Sequence, residues 1–181
     1  GDVICIERGV NLVRYSGLKE NDIVDGEGVC VSFWLQGCCH MCNGCHNPDT
    51  WDVNGGLELP NTYIDDIINL LSKNGIHRNL SILGGEPCLP SNVSIVLPLL
   101  KKVRTALHSV KIYLWSGYTY EQLLDRDDTK ELLQYVDVLI DGKFELAHRD
   151  ITLRFRGSPN QRVIDVQKSL SSSGKVVLYC T

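Results

Sequence analysis

The sequence predicts a single-domain α/β protein whose sheet is mostly parallel, either open or curved into a partial (βα) barrel. Short β-branched and aromatic runs alternate with segments whose apolar residues recur at helical spacing. This alternation favours parallel strands joined by right-handed crossovers. The 181 residues supply too few such units for a complete eight-fold barrel. They are enough for one domain with a buried core, which we expect to cover residues 1–181.

Four runs have the length and composition of buried strands. They span residues 29–36, 80–83, 111–115 and 136–140. Two further strands are expected at residues 162–166 and 176–180, with a short helix between them.

Helical regions are predicted between the four strands. Thr62 is expected to cap the first helix and Gly75 to end it. In the second helix, Pro98 should introduce a kink or mark the start. The third helical region, residues 119–135, should break near Asp127, where an acidic N-cap pattern begins.

Each of the four strands runs directly into a polar, glycine-rich or cysteine-rich segment. These segments are residues 37–47, 84–87, 116–118 and 141–143. Because the carboxyl ends of parallel strands meet at one edge of a sheet, the four segments should open on the same face. We therefore expect one active site there.

Composition excludes several classes of function. The net charge is −4 and no long basic run is present, so we expect no nucleic-acid partner. Apolar stretches are far shorter than the roughly 20 residues that a bilayer requires, and no secretory signal pattern is evident. Four of the eight cysteines fall within residues 38–45, which favours a metal or cluster site in a reducing compartment over a disulfide framework. We expect a cytoplasmic protein without a membrane partner.

The cysteine loop carries the strongest chemical signal. Cys38, Cys42 and Cys45 have the spacing C-x₃-C-x₂-C, and closely spaced thiolates suit an iron–sulfur cluster. Three cysteines on a four-iron cubane leave one iron open to bind a ligand. Cys39 could replace Cys38 in this set, but Cys38 is preferred because it directly follows the strand.

Two alternatives use the same loop. A zinc site could take Cys39, Cys42 and Cys45 with His40 or His46, although zinc modules usually place a second ligand pair on a distant segment. The chain would then be a non-enzymatic binding module. An electron carrier would need a fourth cluster ligand.

The cysteine loop followed by Gly84-Gly85-Glu86-Pro87 resembles the radical S-adenosylmethionine (SAM) superfamily. The resemblance implies a [4Fe–4S] cluster on Cys38, Cys42 and Cys45, with SAM chelated to the open iron and cleaved to a 5′-deoxyadenosyl radical. It implies a fold of the radical SAM type, with Glu86 pairing with the SAM ammonium group. Residues expected to bind SAM are Gly44, Cys45, His46, Gly84, Gly85, Glu86, Pro87, Ser116 and Gly117.

One position in the loop departs from the superfamily pattern. Many members have an aromatic residue just before the third cysteine, where this chain has Gly44. His46 is expected to pack against adenine in its place, or else to be a surface histidine. Asp141 either holds ribose hydroxyls or closes a loop, and the sequence leaves both roles open.

Several segments resemble the activating proteins of glycyl-radical enzymes, in particular those of anaerobic (class III) ribonucleoside-triphosphate reductases. They are residues 25–28, 46–52, 115–118, 140–145 and 154–162, within a core of about 21–166. The resemblance implies abstraction of a hydrogen atom from a backbone glycine of the large catalytic subunit of the reductase. A flavodoxin or ferredoxin would supply the electron. The activating enzyme of pyruvate formate-lyase is the nearest rival, and residues 157–162 argue against it.

Other residues receive secondary assignments. A docking groove for the protein substrate is expected to use Arg154, Arg156, Asn160 and Arg162. We expect Trp115 to belong to the core, and Cys88 not to bind the cluster. The remaining cysteines, Cys5, Cys30 and Cys180, should behave as small apolar residues.

Overall fold

A seven-stranded sheet forms the centre of the computed structural model, which describes residues 13–180. The strands are β1 Arg14–Asp22, β2 Cys30–Leu35, β3 Leu57–Glu58, β4 Asn79–Gly84, β5 Ile112–Trp115, β6 Val138–Asp141 and β7 Arg162–Asp165. Their order across the sheet is β3-β1-β2-β4-β5-β6-β7. The four central strands, β2, β4, β5 and β6, are parallel, whereas β1, β3 and β7 pair antiparallel at the two sides.

Helices follow the central strands in the order that the sequence predicts. They are α1 Tyr63–Leu71, α2 Pro90–Ala106, α3 Tyr120–Leu124, α4 Asp127–Leu133 and α5 Val166–Leu170. Short 3₁₀ turns occur at Pro48–Thr50, Lys73–Gly75 and Leu146–His148. No helix among the described residues is long and apolar enough to cross a membrane.

The alternation of side chains along the strands divides the sheet into two apolar faces. On one face, Phe33, Ile82 and Leu114 pack with the helices in the main core. On the other face, Tyr113 and Ile140 form a smaller cluster with residues outside the sheet. The segment between β6 and β7 covers part of this second face.

The structure confirms the four predicted central strands and the break of the third helical region, since α4 begins at Asp127. Thr62 precedes α1, but its hydroxyl bonds the Asp66 carboxylate instead of a backbone N–H. Gly75 ends a separate 3₁₀ turn. The helix α2 starts at Pro90, because a proline fits the first turn of a helix. Pro98 therefore lies inside α2 and does not mark its start.

One expectation about the edges of the sheet is wrong, and one edge was not predicted. Residues 176–180 form only an isolated bridge between Leu178 and Ile164. The antiparallel edge of β1 and β3 was not predicted, because β1 is mostly polar and contains Gly17. The architecture is therefore mixed α/β with a parallel centre, and the barrel curvature and the single-domain limits stay predictions.

Candidate active site

A cavity of about 560 Å³ opens at the carboxyl ends of the parallel strands. Its lining includes residues that follow each of the four central strands, as the order of the segments predicts. Side chains of the sheet, Trp34 and Leu83 among them, also line it, together with four residues of the segment before β7, namely Leu153, Phe155, Arg156 and Gly157. A cavity of this size is in the range that holds a cofactor or substrate of nucleotide size.

Three thiols face this cavity. Cys38, Cys42 and Cys45 all belong to its lining, whereas Cys39 does not. The Cys39 sulfur lies 3.7 Å from the hydroxyl oxygen of Tyr118, on the neighbouring turn. The arrangement therefore favours Cys38 over Cys39 as the first ligand, and the ligand set itself stays a prediction.

The donor set is of the type that an iron–sulfur cluster takes. Cys38, Cys42 and Cys45 line one cavity, and soft thiolates are the ligands that such clusters prefer. Burial raises the pKa of Cys38 to about 11 and also raises the pKa of Cys42. Iron binding would therefore displace protons from these thiols.

Backbone hydrogen bonds fix the base of the cysteine loop. The Gly37 N–H donates to the Thr50 carbonyl at 2.6 Å, and the Cys38 N–H donates to the Trp51 carbonyl at 3.2 Å. From the next turn, the Glu86 N–H donates to the Gly37 carbonyl at 2.7 Å. The loop is thus closed on itself and tied to the end of β4.

Asn92 is a buried residue of α2 whose role the sequence did not predict. Its side-chain amide donates to the carbonyls of Gln36 and Glu86, at 3.0 and 2.8 Å. It therefore joins the end of β2 to the turn after β4. A polar residue inside an otherwise apolar helix face was the available signal.

The glycines after β4 are required by close packing. Gly84 has φ 104°, and an added Cβ would lie 2.6 Å from the Leu35 nitrogen. At Gly85 an added Cβ would lie 2.3 Å from the Gly37 carbonyl oxygen. Both glycines line the cavity, so their backbone can approach a ligand closely.

Glu86 lies beneath the cavity and is completely buried. One carboxylate oxygen accepts hydrogen bonds from the Gly117 N–H and from His40, and the other accepts from the Cys88 N–H and the Ser116 hydroxyl. The carboxylate is thus fully used inside the protein. This corrects the expectation that Glu86 pairs with an ammonium group, because a carboxylate with four donors has little capacity left for a ligand.

The residue range 24–164 matches a family model described as a 4Fe-4S single cluster domain. The anaerobic ribonucleoside-triphosphate reductase-activating protein of Vibrio cholerae is 42% identical over 142 residues, covering 77% of this chain and 90% of that protein. The proteins of the same name from Pasteurella multocida and Escherichia coli K12 are each 37% identical. The match with the Pasteurella multocida protein covers 84% of this chain and 95% of that protein, and the match with the Escherichia coli protein covers 78% and 92%.

The chain belongs to the family of anaerobic ribonucleoside-triphosphate reductase-activating proteins. The resemblance read from the cysteine loop and the later segments is thereby confirmed. The family model also supports an iron–sulfur cluster, while the SAM-binding residues of this activating-protein homologue stay predictions.

Ser116 and Gly117 line the cavity, as the sequence predicts for SAM-binding residues. His46 also lines it and is exposed, with its ring 5.1 Å from that of Phe144. Gly44 has φ 69° and packs against Leu146, and neither it nor the buried Pro87 belongs to the lining. Both therefore act on the shape of the loops rather than on the cavity surface.

Asp141 has a structural role, which decides between the two alternatives. Its carboxylate is 1% exposed and accepts a hydrogen bond from the Tyr120 N–H at the start of α3. The Arg162 guanidinium donates to both of its oxygens, at 3.1 and 2.6 Å, and also binds Glu121. Asp141 thus joins β6, α3 and β7.

The predicted docking residues do not all line one depression. Arg156 lines the cavity, while Arg162 and Asn160 line a neighbouring depression of about 520 Å³. The Arg154 guanidinium lies 4.6 Å from the centre of the Phe155 ring and is in neither lining. The two depressions adjoin, since Gly117, Gly142 and Lys143 line both, and a docking surface across them stays a prediction.

Trp115 also differs from expectation. It is half-buried and lines the cavity, and its indole N–H donates to the Phe155 carbonyl at 2.8 Å. It forms a wall of the site because alternation along β5 directs it away from the helix-covered core.

The cysteines outside the loop differ in how deeply they are buried. Cys30 and Cys88 are completely buried, and Cys88 packs in the main core, away from the cavity lining. Cys180 is exposed, which corrects its expected apolar role. Cys5 lies outside the described residues.

Asp25 lines the cavity, and in the sequence it stood out only as part of residues 25–28, which resemble the activating proteins. Burial, followed by a hydrogen bond to Asp22, raises the pKa of Asp25 to about 7. Burial opposes ionisation of Asp22 too, but hydrogen bonds from Asp25, the Val24 N–H and Ser32 lower its pKa to about 2. These shifts favour a protonated Asp25 beside an ionised Asp22 at pH values below about 7.

Proposed function

We propose that this chain activates an anaerobic ribonucleoside-triphosphate reductase by radical SAM chemistry. Its substrate would be a backbone glycine of the large catalytic subunit, from which one hydrogen atom is removed to leave a glycyl radical. The observation that carries the proposal is the joint lining of one cavity by the three spaced thiols and the two glycines after β4. Membership of the activating-protein family supports the identity of the partner.

The three thiols, Cys38, Cys42 and Cys45, would hold a [4Fe–4S] cluster and leave one iron without a protein ligand. When bound, the reduced cluster and SAM supply a radical able to abstract hydrogen. The protein's own contribution is to bind, to orient and to exclude solvent. Gly84 and Gly85 present bare backbone to the cavity, and Ser116 belongs to the same lining.

Part of the remaining lining is apolar. Trp34, Leu83, Trp115 and Phe155 provide an apolar and aromatic wall. Such a wall would keep water from the reacting atoms on that side of the cavity. A glycine on a partner chain is the residue best able to enter such a site, because it has no side chain to exclude it.

Two finer points belong to the same proposal. The sheet would have the partial-barrel curvature of the radical SAM type, with the cavity on its inner face. The electron would come from a flavodoxin or a ferredoxin in the cytoplasm.

Anaerobic reconstitution tests the cluster first. We expect roughly four irons per chain, and release of 5′-deoxyadenosine and methionine once dithionite and SAM are added. A purified chain that holds zinc and takes up no iron would contradict the proposal and favour a non-enzymatic zinc module. Iron uptake without SAM cleavage would favour an electron carrier.

Electron paramagnetic resonance of the partner tests the substrate. The reconstituted chain should produce a glycyl doublet on a class III reductase, and none on pyruvate formate-lyase. The opposite selectivity would assign the chain to the second type of activating enzyme.

A further inference from the structure

His40 lies between two predicted cluster ligands and was considered from sequence only as a zinc ligand. Its side chain is 6% exposed, and its Nε2 lies 2.6 Å from a carboxylate oxygen of Glu86, which is fully buried. The other partners of that carboxylate are all donors, namely two backbone N–H groups and the Ser116 hydroxyl. His40 Nε2 is therefore the donor of this bond.

The His40 ring is also held by shape. It packs edge-on against Tyr118, with the ring centres 4.6 Å apart. A Cβ added at Gly117 would lie 2.5 Å from the His40 ring. The His40 ring thus packs directly against Gly117 in the turn after β5, at a position where a side chain would not fit.

These contacts connect three loops through one carboxylate. His40 belongs to the loop after β2, Glu86 to the turn after β4, and Ser116 and Gly117 to the turn after β5. The hydrogen bonds to Glu86 span 46 residues to His40 and 31 residues to Gly117. Residues so far apart in the chain are not brought together by local secondary structure. The hydrogen bonds to Glu86 therefore set how the three loops lie relative to one another.

We propose that His40 is a positioning residue, which through Glu86 holds the cysteine loop at the correct distance from the two turns that form the rest of the SAM site. This inference rests on the proposed function. In the proposed site, a ligand chelated to the open iron would also contact the backbone of Gly84 and Gly85, which line the same cavity. Its affinity then depends on the separation of loop and turns, whereas cluster assembly depends mainly on the thiols within the loop.

The test compares three reconstituted variants. His40→Phe keeps a ring against Tyr118 but removes the Nε2 donor. His40→Gln restores an N–H donor at a similar reach. His77→Phe is the matched control, because His77 also bonds one side chain, Asn79 at 3.2 Å, but is exposed and belongs to neither cavity lining.

Equilibrium dialysis with labelled SAM gives the dissociation constant, and iron analysis gives the cluster content. We expect His40→Phe to weaken SAM binding about tenfold, equivalent to about 1.4 kcal/mol, with iron content near that of the wild type. His40→Gln should recover most of the affinity, and His77→Phe should match the wild type. The electron paramagnetic resonance change that SAM causes in the reduced cluster should be altered in His40→Phe and restored in His40→Gln.

Each other outcome decides the question as well. Wild-type SAM affinity in His40→Phe would overturn the proposal. Loss of iron in His40→Phe would also overturn it, whether or not His40→Gln restores the iron, because the proposal places the effect of His40 on SAM binding and not on cluster assembly. Failure of the wild-type chain to bind SAM is a different result, which would reject the proposed function itself.

Discussion

Gly85 is the position where a single methyl group should do most damage to the site. An added Cβ would lie 2.3 Å from the Gly37 carbonyl oxygen, 2.8 Å from its carbon and 2.9 Å from the Thr50 carbonyl oxygen. All three atoms are backbone, so no side-chain rotation can relieve the contact. The shortest distance is about 1 Å below an ordinary van der Waals contact.

Relief requires the start of the cysteine loop to move away from the turn. The Gly37 carbonyl accepts from the Glu86 N–H at 2.7 Å, and the Thr50 carbonyl accepts from the Gly37 N–H at 2.6 Å. Overpacking costs about 1–3 kcal/mol, and a weakened buried hydrogen bond adds about 1 kcal/mol. Gly85→Ala should therefore lower the free energy of unfolding by about 2–4 kcal/mol.

Gly17→Ala is the matched control for this change. Nothing lies within 4 Å of a Cβ added at Gly17. Both variants reduce the entropy of the unfolded chain equally, so this contribution cancels in their comparison. We expect Gly17→Ala to be at least as stable as the wild type, with a gain of up to about 1 kcal/mol from the unfolded-chain entropy.

Urea unfolding of the iron-free chains, followed by circular dichroism, measures the stability difference, and iron analysis after reconstitution measures the effect on the site. Gly85→Ala should unfold at lower urea than Gly17→Ala and bind less iron, because the displaced segment carries Cys38. Equal midpoints and equal iron contents in the two variants would refute the proposed close packing of turn and loop.

Three further predictions concern other residues of the site. Cys42→Ala should abolish iron uptake on reconstitution while Cys39→Ala should not; the reverse would show that Cys39 replaces Cys38 as a ligand. Asp25 keeps its proton up to about pH 7 when folded but loses it near pH 3.8 when unfolded, so its contribution to stability should fall as pH rises through this window. Asp25→Asn should remove this decline in stability. Urea unfolding at pH 5 and pH 8 measures the decline in both proteins, and an equal loss of stability in variant and wild type would contradict the prediction. Arg162→Met leaves the buried Asp141 carboxylate without its guanidinium and should cost about 2 kcal/mol of stability; loss of reductase binding at unchanged stability would return Arg162 to the docking surface.

Much of the fold followed from local patterns. The four central strands are short apolar runs, and the helices between them have one apolar face, so hydrophobic periodicity was sufficient to predict them. Strands β1 and β3 were not predicted because their residues are largely polar or exposed, and such strands are defined by pairing with a neighbour.

The candidate site divides in a similar way. The sequence by itself determined where the site lies, since three spaced cysteines and a Gly-Gly turn at the ends of successive parallel strands must meet at one edge of the sheet, and it predicted thiolates as the ligands. Only the tertiary structure decided which polar groups face the cavity. Glu86 looks like a ligand-binding carboxylate in sequence, but contacts with His40 and Gly117 bury it as a structural centre. The physical reason is that hydrogen bonds between loops join residues far apart in the chain, and no local pattern encodes such pairings.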